Sequence, residues 1–178
     1  RQLYDRTKLY FEDEILLNNS IDEQKNKALK LVKGYKKSDI ETLWSKFYPD
    51  YFEASDYLDL STHAKIILSS DKKTIIKLIE KEKDSLTSIF IYTKDRTNLF
   101  ATIIGVLDSE NINFVDAKLF GMRDGFCTDL ITISDKEEKV NLESEKAQVL
   151  IQKLVESINQ KTLKPKIVKR RLPRYLKH

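Results

Sequence analysis

Thr87-Ser88-Ile89-Phe90-Ile91-Tyr92-Thr93-Lys94-Asp95-Arg96-Thr97-Asn98-Leu99-Phe100 passes from an apolar run through a charged turn into helical spacing, and it reads as a strand feeding a helix. Ile89, Phe90, Ile91 and Tyr92 are β-branched or aromatic, the types that suit a pleated strand. Leu99, Phe100, Ile103, Ile104 and Leu107 then lay one apolar stripe along the helix that follows. At such a junction the first helical N–H groups lack partners, and the positive end of the helix dipole points the same way. A carboxylate or other small polar ligand can sit there, although most strand-to-helix turns bind nothing.

Downstream, Asn111 stands where a left-handed residue would end the helix, and Ile112 to Met122 returns to strand spacing. Arg123-Asp124-Gly125 marks a hairpin, so Phe126 to Ser134 should pair back. Cys127 shares a side of that strand with Ile131 and Ile133 and is expected to be a buried small hydrophobe. After a charged loop, Ala147, Leu150, Ile151, Leu154, Val155 and Ile158 form the stripe of a second helix, and Leu163 to Val168 can supply a last short strand. Upstream, Ile75, Ile76, Leu78 and Ile79 satisfy both the helical and the strand period; we take the segment near 74–80 as an extra edge strand, joined through Lys83-Asp84-Ser85. The order is that of a ferredoxin-like βαββαβ fold, with two helices on one face of an antiparallel sheet. The other face would carry Phe90, Tyr92, Phe114, Phe120 and Phe126, too large an aromatic patch to leave in water. N-terminal helices, a second copy of the module or stacked nucleobases could cover it.

Residues 1–70 read as a helical region, which makes the whole chain α+β. Ser20-Ile21-Asp22-Glu23 and Ser38-Asp39-Ile40-Glu41 have capping-box spacing, Gly34 is placed to end the first helix, and Pro49 favours a new start. Trp44, Phe47, Tyr48, Tyr51, Phe52 and Tyr57 are expected to form a small helical core, with an exposed docking patch as the alternative. His63 has no cysteine near it in sequence and only His178 as a second histidine in the chain, so it is expected to be a hydrogen-bonded structural residue rather than a zinc ligand.

The 178 residues can hold one large domain or two small ones. Charged residues at 34% against 40% hydrophobic exclude a disordered chain, and a net charge of +4 is too small to argue for nucleic acid. One cysteine, with no apolar run near 18 residues and no signal peptide, fits a reducing cytoplasm and no membrane. The start on Arg1 and the basic, proline-containing end suggest a piece of something longer.

Asp95-Arg96-Thr97-Asn98-Leu99-Phe100, Asn113-Phe114-Val115-Asp116-Ala117-Lys118 and Arg123-Asp124-Gly125 together resemble an ACT domain, a small regulatory module that binds amino acids. With the tail Arg170-Arg171-Leu172-Pro173-Arg174, they resemble the first ACT domain of the bifunctional uridylyltransferase/uridylyl-removing family that acts on the PII signal protein. Asp50-Tyr51-Phe52 and Thr62-His63-Ala64 resemble the helices between that family's hydrolase and ACT domains. The resemblance implies a helical region at 1–70, an ACT domain at 71–170, and at 171–178 a basic linker towards a second, absent ACT domain. It further implies a cytoplasmic glutamine-sensing segment of a nitrogen-regulating enzyme, without catalytic residues or a cofactor of its own. The parent is expected to use Mg2+ in its nucleotidyltransferase domain and to hydrolyse the UMP link at a separate site. Its expected partners are glutamine or a similar amino acid, the second ACT domain, the catalytic domains and PII.

Carried onto this sequence, the family's ligand positions fall on Asp95 and Asn113, with N–H groups of Asn98 and Leu99 as donors to a carboxylate. ACT ligand loops commonly have Pro-Gly where this chain has Thr97-Asn98, which points to the second copy as the principal sensor and to this one as the mate that completes its site. The alternative is an RNA-recognition-like module, which shares the element order. Its third-strand motif is missing, since Cys127, Thr128 and Asp129 follow Phe126, so nucleic acid is not the expected partner.

Overall fold

The computed structural model describes residues 17, 19–80, 86–134 and 144–160. By contacts it divides into two units, one running to Lys72 and including Phe120–Phe126, the other comprising Lys73–Leu119 and the residues from Cys127 onward.

The first unit is helical: α1 over 19–31, α2 Lys37–Trp44, α3 Pro49–Glu53 and α4 Tyr57–Leu68. Neither serine-led capping box opens its helix. Residues 19 and 20 are already helical, and α2 starts at Lys37 behind an extended Lys36 that gives no side-chain cap. A cap must be the extended residue just outside the first turn, so each serine sits too far in to serve. Asp56 does serve, accepting from the N–H groups of Leu58 and Asp59 at 2.8 Å each. Gly34 takes φ +89° after α1, and Pro49 is the first residue of α3, both as the sequence suggests.

Trp44, Phe47, Tyr51 and Phe52 are buried together, with Phe47 and Tyr51 stacked at 3.9 Å between ring centres and Phe120 edge-on to Tyr51 at 5.2 Å. Tyr48 stays exposed, with the Arg123 guanidinium over its ring. His63 is buried, and its Nδ1 lies 3.0 Å from the Tyr51 hydroxyl. The histidine is thus tied into a helical core, as expected of a structural residue. Tyr51→Phe should cost about 1–2 kcal/mol by taking that partner from a buried ring nitrogen, and urea unfolding that leaves stability unchanged would contradict the assignment.

The second unit orders its elements as β1 Ile75–Glu80, β2 Thr87–Lys94, α5 Leu99–Ser109, β3 Asn113–Gly121, β4 Phe126–Ser134 and α6 Glu145–Ile158. The sheet is antiparallel with strand order β1-β2-β4-β3, the split arrangement of a ferredoxin-like fold. β1 is a strand, not a helix, and pairs with β2 in the register Ile75↔Tyr92 through Glu80↔Thr87. In a βαββαβ sheet the fourth strand lies beside the first; here β1 holds that edge. The strand expected at 163–168 lies outside the described residues.

The core lies between sheet and helices. Ile89, Ile91, Cys127, Ile131 and Ile133 meet Leu99, Ile103 and Leu107 of α5 and Leu150, Leu154 and Ile158 of α6. On the opposite face Phe90 is 0% and Tyr92 8% exposed, so neither ring is available to stack a base. β3, at the other edge, leaves Val115 and Leu119 about half exposed.

Candidate functional site at the start of α5

β2 ends at Lys94, and Asp95, Arg96, Thr97 and Asn98 carry the chain into α5. Asn98, the residue before the helix, has φ 67° and ψ 11°. That is the left-handed conformation a glycine would adopt without strain, and asparagine is among the side chains that tolerate it best. The departure from Pro-Gly is therefore accommodated by the backbone. Asn98→Val should cost about 1–2 kcal/mol while Asn98→Gly is nearly neutral, as thermal unfolding of the two variants would report.

The Asn98 carbonyl accepts from both the N–H and the Oγ1 of Thr102 at 2.9 Å, and the Leu99 N–H donates to the Arg96 carbonyl at 3.1 Å. The Asn98 side chain caps none of the first-turn N–H groups. Leu99, whose N–H the sequence offers as a ligand donor, thus has that group engaged within the turn, and its side chain is buried in the core.

Arg96 turns away from the turn's mouth. Its guanidinium donates to the Gln160 carbonyl at 2.9 Å and to the Ile158 carbonyl, so it caps the C-terminal end of α6. Nearby, Thr74 Oγ1 meets Thr93 Oγ1 at 2.9 Å and donates to Asn159 Oδ1 at 3.0 Å, tying β1, β2 and the same helix end together.

Asp95 is exposed at the turn, whereas Asn113 opens β3 beyond the other end of α5, after the left-handed Asn111 at φ 56°. The eleven residues of α5 make a helix about 16 Å long. One copy of the chain accordingly holds Asp95 and Asn98 together and keeps Asn113 apart from them.

A further residue, Asp129, lies outside the ligand positions that the sequence suggests. It sits on the core side of β4 between Cys127 and Ile131, and is 4% exposed. Burial, and then the Asp95 carboxylate, push its pKa up to about 7. Burial, followed by Asp129 and Asp95, also pushes the Cys127 thiol up, which makes it inert as a nucleophile. The signal was available: an aspartate in a row of apolar residues at strand spacing. Among the described residues no group of three or more His, Cys, Asp or Glu could hold a metal, and no helix is long and apolar enough to cross a membrane.

N-terminal helices followed by a four-stranded antiparallel sheet with helices between its strands make an α+β architecture consistent with a ferredoxin-like ACT domain. Over most of its length this chain is homologous to one segment of the bifunctional uridylyltransferase/uridylyl-removing enzymes. The enzyme of that name from Vibrio cholerae is 32% identical over 160 residues, 88% of this chain and 18% of the relative. That from Idiomarina loihiensis is 30% identical over 166 residues, 91% of this chain and 19% of the relative. The Acinetobacter baumannii enzyme is 28% identical over 152 residues, 83% and 17% respectively. The chain spans under a fifth of the length of these relatives. No protein-family model matches it.

Proposed function

We propose that this chain is the regulatory, amino-acid-sensing segment of a bifunctional PII uridylyltransferase/uridylyl-removing enzyme, with glutamine or a similar small amino acid as its ligand. In this reading the parent attaches UMP to PII when glutamine is scarce and removes it when glutamine is plentiful, in the cytoplasm, with Mg2+ in a nucleotidyltransferase domain outside this chain. The segment itself contributes no catalytic residue. It works with a second ACT domain and passes ligand occupancy to the catalytic domains, a coupling between distinct sites.

The observation that carries the reading is the turn from Lys94 to Leu99. A helix start without a side-chain cap favours an anionic group, while Asp95 beside it favours a cationic one. A free amino acid presents both charges a few ångströms apart. Asn113, separated by the length of α5, supports a role as half of a shared site.

Calorimetry with L-glutamine tests this. The chain alone should bind weakly, in the millimolar range, and Asp95→Ala should weaken it further; tight binding indifferent to Asp95→Ala would place the site elsewhere. Incubation of the chain with UTP, Mg2+ and PII should give no uridylylation, and measurable turnover would contradict the non-catalytic assignment.

A further inference from the structure

We propose that the tip of the β3–β4 hairpin is a structural member of the helical region, so that the helices keep their fold only while these two strands are held in register. The chain thereby carries a built-in device through which a change in the strands is felt among the helices, and it stands whether or not an amino acid binds.

By its contacts the segment Phe120–Phe126 belongs to the helical unit, although it is made of the end of β3, the start of β4 and the turn between them. Its partners lie on α3 and on the short connection that joins α2 to it. Phe47 and Met122 form an antiparallel bridge, and the Arg123 N–H donates to the Lys46 carbonyl at 2.8 Å. Phe120 and Met122 are both buried, Phe120 edge-on to Tyr51. Lys46 Nζ lies 3.2 Å from Asp124 Oδ2, and the Arg123 guanidinium covers the Tyr48 ring at 4.6 Å. The partly exposed ion pair adds little. The two buried apolar side chains and the backbone bond to Lys46 carry the attachment.

The helices have reason to depend on it. α2, α3 and α4 are 8, 5 and 12 residues long, lengths that are marginal without tertiary packing, and a core this small leaves little stability to spare. Tyr51 is stacked on Phe47 and meets Phe120 edge-on, so withdrawal of the tip would expose one side of that ring. The register of the strands is set by other residues, since Cys127, Ile131 and Ile133 of β4 pack in the core of the second unit. A slip of one residue would reverse every side chain along the strand. Gly125 at φ +79° and the 2.9 Å hydrogen bond from the Met122 N–H to the Phe126 carbonyl close the turn tightly. A shift of the strands is therefore passed to Phe120 and Met122 rather than absorbed in a loop.

Trp44, the chain's single tryptophan, is buried in α2 and reports the helices; the methyl signals of Ile89 and Ile133 report the sheet. Urea unfolding of the 178-residue chain, followed by Trp44 emission and by those methyl signals in NMR spectra, should give coincident transitions. Ile103→Val, a mild change in the core of the second unit, should lower both midpoints together by about 0.5 M urea. Met122→Ala should pull the two apart, the Trp44 midpoint falling about twice as far as that of the methyl signals, or further. Separate transitions in wild type, a Trp44 midpoint left in place by Ile103→Val, or transitions that stay coincident in Met122→Ala would each overturn the proposal. Should Met122→Ala lack native Trp44 emission before urea is added, methyl signals that survive support the proposal and their loss overturns it.

Discussion

Unfolding free energy measured from pH 4 to pH 8 will fall with rising pH more steeply in wild type than in Asp129→Asn, and the variant will be the more stable protein at pH 8. The group responsible has its pKa moved from 3.8 to about 7 by burial and by Asp95. Between those values the folded chain keeps a proton that the unfolded chain has already released. The folded state therefore binds more protons, and stability declines as pH rises through that window. Below it both states are protonated, and above it both are ionised, so the contribution is flat at either end. The largest slope one group can give is about 1.4 kcal/mol per pH unit; relaxation around the carboxylate brings the expected total to roughly 2 kcal/mol. Taking the difference between the two proteins removes the contributions of the other ionisable groups. Parallel curves for the two proteins would show that Asp129 is solvated in the folded state.

Arg96→Ala is expected to destabilise the second unit by about 2–4 kcal/mol. Two hydrogen bonds from a charged guanidinium are lost at once, each typically about 1.5–3 kcal/mol, and with them a cation at a helix C-terminus worth up to about 2 kcal/mol. These contributions overlap, so they do not simply add. The carbonyls of Ile158 and Gln160 would be left to solvent at the end of α6, and amide exchange in its last turn should speed up more than elsewhere. Lysine should restore less than half, since a single ammonium cannot reproduce the fork that reaches two carbonyls. Urea unfolding indistinguishable from wild type would mean that the pairing is a surface contact of little worth.

Much of this architecture is legible in the residues. Ile89 to Tyr92 fall inside β2 and the stripe from Leu99 to Leu107 runs along α5, and Asn111, with its left-handed φ of 56°, follows the end of α5 where the sequence suggests. Asp124-Gly125 makes the hairpin, with Gly125 at φ +79°. What failed was local capping. The serine-led boxes at Ser20 and Ser38 satisfy a spacing rule, but the helices start earlier. Spacing alone does not say which residue leaves the helical conformation, and packing of Ile21, Ala28, Ile40 and Leu43 settles the boundaries instead. Arg96 illustrates a different limit. Its partners lie more than 60 residues along the chain, a distance over which no local pattern points. A lone carboxylate in a strand ordinarily faces water, and only the shared side of Cys127, Ile131 and Ile133 marks Asp129 as inward. For the candidate site, the sequence places Asp95 and Asn98 at one turn, while the separation of Asn113 by α5 emerges only from the fold.

The central claim is that this chain receives an amino-acid signal and supplies part of a site that a second ACT domain completes. Calorimetry with L-glutamine on this chain, and on the longer parent polypeptide in which we propose a second ACT domain, tests it most directly. Affinity should be weak for the chain alone and rise at least tenfold in the longer polypeptide, where Asp95→Ala or Asn113→Ala should each reverse the gain. Equal affinity in the two proteins, or a gain untouched by either substitution, would contradict it.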